Sequence, residues 1–218
     1  MWQSFKEGPH LGMGYGIGLA YKDNVGAYEV QCCWVSPGNH ETIMTGNLSQ
    51  VSREGIMWCK SFIETYMGDI ITAFGLPPPP PSSSFYKPGM DLHVHVAHNW
   101  QPISIAYQMG VIFISMVSLL VGRRAKEGVV ILGDMSNLGG LLSDWEVTEE
   151  MVEFCRLCKF HTLVVGEGTT IAEGARRAAG SDDDEYYGGG KVEIITVSMV
   201  LDAITLCFDS VPSREEET

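Results

Sequence analysis

Two histidines and a pair of cysteines have the residue types and the spacing that could support chemistry. His93 and His95 alternate within Leu92-His-Val-His-Val96, which places both imidazoles on one face of a strand. Such a pair could ligate a metal ion or serve as a base for a nearby nucleophile. Cys155-x-x-Cys158 lies in a segment with helical spacing, and no second Cys or His pair follows at metal spacing. We therefore expect no structural zinc there.

Glycine alternates through the start of the chain, at positions 8, 12, 14, 16 and 18. A glycine-rich loop can cradle phosphate, but it needs a strand before it and Gly-Lys-Ser/Thr after it. Neither is predicted here. We interpret residues 1–16 as a flexible glycine-rich segment that leads into a strand, and we expect no cofactor.

Composition restricts the classes of function. The 218 residues are 45% hydrophobic, with a mean hydropathy of +0.06, which excludes a disordered chain and allows one domain with a sizeable core. The formal net charge of -13 repels phosphate backbones and anionic lipid, so we expect neither nucleic acid nor an anionic membrane as a partner.

The six cysteines indicate a reducing environment. The first residues carry no apolar leader, so we expect free thiols in an intracellular, reducing compartment. Cys32 and Cys33 are adjacent, and on a strand they should point to opposite faces.

An uncharged stretch from Pro102 to Gly122 has about the length of a membrane span. Polar residues recur through it: Ser104, Gln108, Ser115 and Ser118. Strand-like segments also flank it closely. We therefore expect a helix, Ile103–Val121, buried between a sheet and its neighbours rather than a span.

Periodicity divides the rest of the chain into strands and helices. The expected strands are residues 17–21, 27–35, 41–45, 92–96, 128–132, 162–165 and 191–197. The further expected helices are residues 49–66, 148–160, 169–179 and 199–208. This order predicts an α+β or α/β sandwich with one mixed sheet packed with helices, and we take the α+β form.

Two segments without periodicity interrupt this order. Residues 77–84 are five prolines and three serines, a stiff spacer that cannot join a sheet. Residues 181–190 form an acidic loop, and residues 209–218 a polar tail, which we place at the surface. The loop suits a basic groove on a partner protein, while the plain alternative is a solvated loop. Its candidate contact residues are Asp182, Asp183, Asp184, Glu185, Tyr186 and Tyr187.

Several short segments, taken in order, resemble the proteolytic domain of Lon proteases. Gly38–Glu54 is similar to that family's Gly-x-Gly-x-Leu-x-x-Thr-Gly-x-Leu-Gly-x-Val-Met-x-Glu, and Phe85–Val96 is similar to its Tyr-x-x-x-Asp-Ile-His-Ile/Val-His-Val. Further segments follow at family spacing: Val121-Gly122-Arg123, Gly133-Asp134 and His161–Val165. The resemblance covers residues 17–208 apart from the two insertions, and no part of the chain resembles the family's ATPase domain. It implies a mixed sheet of the ribosomal S5 domain 2-like type.

The same resemblance points to a lost active site. In the family a serine at the start of the apolar helix attacks the peptide carbonyl, and a lysine from a later helix takes the hydroxyl proton. On this register Tyr107 stands at the serine position and Thr148 at the lysine position. A serine hydroxyl needs a base within hydrogen-bond reach, and threonine cannot be that base. The resemblance therefore implies an inactive member, a pseudoprotease.

A rescued hydrolase is the alternative. Ser104 lies one turn before Tyr107 and could become the nucleophile; its possible bases are His93, His95, His98 and Lys159. The family strand carries the same two histidines as structural residues, which favours a structural role over a metal site here. The family forms hexameric rings, in which symmetry reuses one interface. We therefore expect a structural, regulatory or protein-binding module that joins other protein subunits or a homo-oligomer.

Overall fold

The computed structural model describes residues 9–19, 25–46, 48–77, 80, 84–97, 109–142, 145–180 and 190–209. Its strands are β1 (Met13–Leu19), β2 (Val25–Val35), β3 (Thr42–Thr45), β4 (Asp91–Ala97), β5 (Val129–Leu132), β6 (Asp134–Met135), β7 (Leu141–Leu142), β8 (Thr162–Gly166) and β9 (Glu193–Val197). Its helices are α1 (Gln50–Ala73), α2 (Met109–Val121), α3 (Glu149–Leu157), α4 (Glu173–Gly180) and α5 (Val200–Cys207).

Seven of the strands form one mixed sheet in the order β3-β4-β2-β1-β5-β8-β9, while β6 and β7 form a separate hairpin. The central pairs β4–β2 and β2–β1 are antiparallel. The pairs on either side of them are parallel. A mixed sheet backed by helices confirms the predicted α+β architecture.

Helix α2 is buried on every side. Each residue from Gly110 to Leu119 is buried, and its two hydroxyls in this stretch have partners. Ser115 donates to the Val111 carbonyl at 2.8 Å, and Ser118 accepts from the Gly12 N–H at 2.9 Å. Buried polar groups are tolerated when they are hydrogen-bonded in this way. The buried helix is confirmed over residues 109–121, while residues 103–108 of the predicted range lie outside the described residues.

No helix within the described ranges is both long enough and apolar enough to cross a membrane. The apolar stretch that resembles a span is therefore accounted for, over residues 109–121, by packing inside the domain.

The alternating glycines of β1 let other groups approach the strand closely. A Cβ at Gly14 would lie 2.8 Å from Ser115 Oγ and 3.2 Å from Val111 Cγ2, both on α2. A Cβ at Gly16 would lie 2.0 Å from the hydroxyl oxygen of the buried Tyr28. Glycine is the residue that permits such contacts. The pattern that imitates a phosphate loop is therefore a packing surface.

Two apolar cores cover the two faces of the sheet. Helices α1, α2 and α5 pack on one face, where Ile63 and Phe113 belong to the same buried cluster as the strand residue Val94. Helices α3 and α4 pack on the other face, where Met151 shares a second cluster with Ile17 and Leu163. This second core covers the β1–β5–β8 half of its face. On the same face, beyond this core, Cys33 of β2 and Ile43 of β3 are exposed.

Local signals explain where α1 begins and how the chain returns after the proline spacer. Ser49 caps α1 by accepting from the Ser52 N–H at 3.1 Å. After the spacer, the Phe85 and Tyr86 rings pack on Trp34, with centroids 5.4 and 6.2 Å away. These contacts return the chain to the sheet immediately before β4.

Most predicted elements are confirmed within a few residues, and the differences have physical causes. Strand β1 starts at Met13 rather than residue 17, so residues 13–16 belong to the sheet and not to a leading segment. Helix α1 continues to Ala73 through a kink at Tyr66. The hairpin β6–β7 was not predicted, because its strands have two residues each. Cys32 and Cys33 lie on opposite faces, as alternation on a strand predicts: Cys32 is buried and Cys33 is exposed.

Packing at Gly14 is testable by substitution. Gly14→Val should lower the free energy of unfolding by roughly 1–3 kcal/mol, because the new side chain must displace α2. Gly68→Ala is the matched control: it lies in α1, and a Cβ added there would have nothing within 4 Å. This control substitution should raise stability by about 0.5–1 kcal/mol. Urea unfolding measures both. Equal stability of Gly14→Val and the wild type would contradict the close packing.

Candidate functional site

The start of α2 is the place where the resemblance puts a nucleophile. The Cys59 thiol of α1 donates to the Met109 carbonyl at 3.4 Å, and the Gly110 N–H donates to the Gly133 carbonyl at 3.1 Å. These contacts hold the helix end between α1 and the β5–β6 junction. Tyr107 and Ser104, and also His98, lie outside the described residues.

Two buried groups lie near Asp134, the residue after Gly133, and both stay protonated. Burial, and secondarily the negative charge of Asp134, raise the pKa of the Tyr28 phenol and of the Cys59 thiol well above their ordinary values. Both residues are almost completely buried. At neutral pH the phenol and the thiol are therefore uncharged, and neither is an ionised nucleophile.

Thr148, which the resemblance puts at the position of the family's lysine, caps a helix. Its backbone is extended (φ -95°, ψ 165°), and its side-chain oxygen accepts from the Met151 N–H at 3.4 Å. The preceding residue is fixed in turn, because the Val147 N–H donates to the Thr170 carbonyl at 2.8 Å. Ser, Thr, Asp and Asn are the residues that satisfy the free N–H groups at a helix start. The side chain at this position therefore has a structural role.

The charge around Thr148 is negative. Glu149 and Glu150 form the first turn of α3, where carboxylates interact favourably with the helix dipole. The backbone N–H of Glu150, followed by the Thr148 side chain, hydrogen-bonds the Glu150 carboxylate and lowers its pKa. Ionised carboxylates beside this position would favour the protonated form of any amine placed there.

Two other candidates from the sequence are also far from a catalytic state. Lys159 is exposed, with a left-handed backbone (φ 62°), on the turn that follows α3, whereas a lysine base near neutrality requires burial. Cys155 and Cys158 are buried free thiols. Burial raises the pKa of Cys158 to about 11 and that of Cys155 further.

The paired histidines share one threonine. The Thr45 hydroxyl lies 2.7 Å from His93 Nε2 and 2.8 Å from His95 Nδ1. The register of β3 and β4 pairs Thr45 with His95. On the opposite side of the His93 ring, Nδ1 lies 4.0 Å from the sulfur of Cys33. Among the described residues, no group of three or more His, Cys, Asp or Glu side chains is arranged to hold a metal ion.

The acidic-loop candidates, Asp182 to Tyr187, lie outside the described residues, so they stay predictions. Sequence reasoning missed the roles of Thr45 and Cys33. The alternation of Cys32 and Cys33 predicts opposite faces for the two thiols, and the structure shows that Cys33 is the exposed one. Only the β2–β4 register, which sets Cys33 opposite His93, brings these side chains together.

Comparisons with known proteins agree with the resemblance. The chain matches the family model of the Lon protease (S16) C-terminal proteolytic domain over residues 4–157, a range that includes the positions of Tyr107 and Thr148. The Lon protease of Methylocella silvestris is 29% identical to the chain over 121 residues. That match covers 56% of this chain and 14% of the relative's length.

The capping role of Thr148 predicts a stability difference. Thr148→Ala should lower the free energy of unfolding by about 1 kcal/mol, because the Met151 N–H loses its acceptor. Thr148→Ser and Thr148→Asn keep an acceptor and should stay near the wild type. Urea unfolding at pH 7 measures the three variants, and equal stability of the alanine variant would contradict the cap.

The effect of Thr148→Ala should also depend on pH. The Thr148 side chain favours ionised Glu150 and so helps to lower its folded pKa. That contribution is present above the unfolded pKa of the glutamate and is lost as the pH falls through the lowered folded pKa. The difference between the alanine variant and the wild type should therefore shrink in acid.

Proposed function

We propose that this chain, which belongs to the Lon protease (S16) C-terminal proteolytic domain family, is a non-catalytic member that binds polypeptides as a module of an oligomer or a larger complex. The observation that supports this most is the state of Thr148. A Ser–Lys mechanism needs a base that takes the hydroxyl proton. The residue at that position has no basic group, and its oxygen already accepts the Met151 N–H.

The surroundings of Thr148 add to this support. A lysine base works near neutral pH only when its neutral form is favoured. Glu149 and Glu150 lie next to the site in the first turn of α3, and two carboxylates favour an ammonium over an amine. Because both carboxylates are exposed, this effect is small, but its direction opposes a lysine-type base.

A groove beside the sheet edge supports polypeptide binding. Strand β3 is an edge strand, and no other strand of the described part of the chain pairs with its outer side. A groove of about 520 Å³ lies next to it, between β3 and the first half of α1. Its lining residues are Met44, Gln50, Arg53, Glu54, Met57, Trp58 and Ser61. An edge strand with adjoining side-chain pockets is the arrangement that extended peptides recognise by adding a strand.

The chemistry of this groove fits an unfolded segment with apolar side chains. Met44, Met57 and Trp58 supply adaptable apolar surface, and Met57 is 43% exposed. The Trp58 indole N–H is buried and has no hydrogen-bond partner in the described part of the chain. This donor is covered by the protein's own atoms, so the apolar side chains of the groove carry the argument for peptide binding.

The first test asks whether the protein has peptidase activity. The purified protein, incubated with unfolded casein and with a fluorophosphonate probe, should neither degrade the casein nor take up the probe, because no base serves a serine at this site. An active Lon protease is the positive control. Turnover that disappeared in Ser104→Ala would contradict the proposal and establish the relocated nucleophile. Turnover that persisted in that variant would indicate another active site.

The second test asks whether casein binds without being cut. Met57→Asp should weaken the binding of fluorescently labelled, unfolded casein by about tenfold or more, because it places a charge in the apolar part of the groove. Leu157→Asp is the matched control: Leu157 is also 43% exposed, but it lies on α3. Anisotropy titration measures both variants. Equal affinities, or no casein binding by the wild type, would contradict the groove as the binding site.

A further inference from the structure

Cys33 differs from the other five cysteines in its environment. Those five thiols are buried: Cys32, Cys59, Cys155, Cys158 and Cys207. Burial raises the pKa of Cys207 to about 12, although nearby Lys126 partly opposes the shift. Buried thiols of this kind are unreactive, because the thiolate is the nucleophile. Cys33 is the one exposed thiol of the six, on the solvent-facing side of β2.

His93 faces the sulfur of Cys33. The two residues are directly opposite in the antiparallel pair β2–β4, and His93 Nδ1 lies 4.0 Å from Cys33 Sγ. The other ring nitrogen, Nε2, lies 2.7 Å from the Thr45 hydroxyl. This bond fixes the imidazole with Nδ1 toward the sulfur. A nucleophile, a base in contact with it and a third group that orients the base make up the pattern of an activated thiol.

The Thr45 hydroxyl can serve both histidines at once. One proton and two lone pairs allow it to accept from His93 Nε2–H and to donate to His95 Nδ1. In this tautomer His93 Nδ1 has a free lone pair toward Cys33, and Nε2–H donates to Thr45 whether or not Nδ1 carries a proton.

We propose that Cys33 is a nucleophilic thiol, with His93 as its base and Thr45 as the residue that positions His93, and that it reacts with low-molecular-weight disulfides. His93 Nδ1 takes the proton from Cys33 Sγ, and the sulfur attacks one sulfur of the disulfide. The Cys33–sulfur bond forms while the disulfide bond breaks. The leaving thiolate then takes the proton from His93 and departs as a thiol, so that one mixed disulfide and one thiol result. This modification site is independent of the polypeptide groove.

Charge should select among disulfides. The chain carries a net charge of -13. On the same face of the sheet, the side chain of Glu29 bonds Gln31, and Asp91 accepts from the Asn39 and Glu41 N–H groups. Among the described residues of β2 and β4, these two carboxylates, His93 and His95 are the titratable groups that share the face with Cys33. A cationic disulfide should therefore react faster than an anionic one, and added salt should reduce the difference.

The experiment follows the reaction of the folded protein with cystamine at pH 7 by intact-mass and peptide mass spectrometry. We expect one adduct per chain, on Cys33, and a slower reaction with glutathione disulfide. Cys33→Ser should remove the adduct. His93→Gln should slow the reaction about tenfold, less than an aligned base contributes because the contact is 4.0 Å long. His161→Gln is the matched control, an exposed histidine elsewhere, and it should react at the wild-type rate.

The wild-type pH profile provides a test that needs no variant. An isolated thiol of ordinary pKa reacts about fiftyfold faster at pH 8.5 than at pH 6.5. A thiol with an imidazole base should show a smaller rise, under about tenfold, and Thr45→Val should restore the steep profile by releasing the ring. Adduct on another cysteine, or the steep profile in the wild type, would overturn the proposal. The proposal would also be overturned if His93→Gln kept a native circular dichroism spectrum and reacted with cystamine at the wild-type rate.

Discussion

Burial of the uncharged helix α2 against the sheet is the constraint on which the rest of the structure depends. The helix is covered from Gly110 to Leu119, so its neighbours must be apolar, close and without unsatisfied polar groups. The glycines of β1 allow α2 to approach the strand closely, because a Cβ at Gly14 would meet Ser115 and Val111. The backbone of Gly12 also hydrogen-bonds the Ser118 hydroxyl. Strand β1 is the middle strand of the seven and carries this contact in the centre of the molecule.

The same packing holds the family fold independently of the two positions at which the resemblance places the family's Ser–Lys pair. Apolar volume, glycines and satisfied hydroxyls determine the position of α2, and none of these depends on a catalytic side chain. The start of the helix is held by main-chain partners at Met109 and Gly110. Position 148, which the resemblance matches to the family's lysine, holds a residue that stabilises α3, because Thr148 is its N-cap. Fold and chemistry therefore make separate demands on the sequence.

The sheet face that bears α3 and α4 has two halves, one covered by apolar side chains and the other polar. The half that includes β1, β5 and β8 lies under apolar residues of these helices. The outer half, formed by β2, β3 and β4, presents polar side chains that bond one another, such as Thr45 with His93 and His95. On one strand, Cys32 enters the core while Cys33 meets solvent. Accessibility, rather than residue type, makes one of these neighbouring thiols chemically available.

The sequence by itself determined the elements and the fold class. Alternation in Leu92–Val96, the apolar run ending at Val121 and the helical spacing after Ser49 are local patterns, and each corresponds to a described element. The order of family-like segments carried the assignment that the comparison over residues 4–157 supports. The sequence alone also shows that position 107 is not a serine and position 148 is not a lysine.

Only the tertiary structure decided which residues meet. In the sequence, the alternating glycines of β1 resemble a phosphate loop. In the structure, α2 packs against Gly14, so these glycines serve packing. From the sequence, position 148 shows only that no lysine is present. The structure adds that Thr148 has an extended backbone and caps α3. Cys33 is 60 residues from His93 along the chain, and Thr45 is 48 residues from it. Pairing of β2, β3 and β4 brings these three side chains together. Which strands pair depends on burial between distant segments, and no single local pattern determines it.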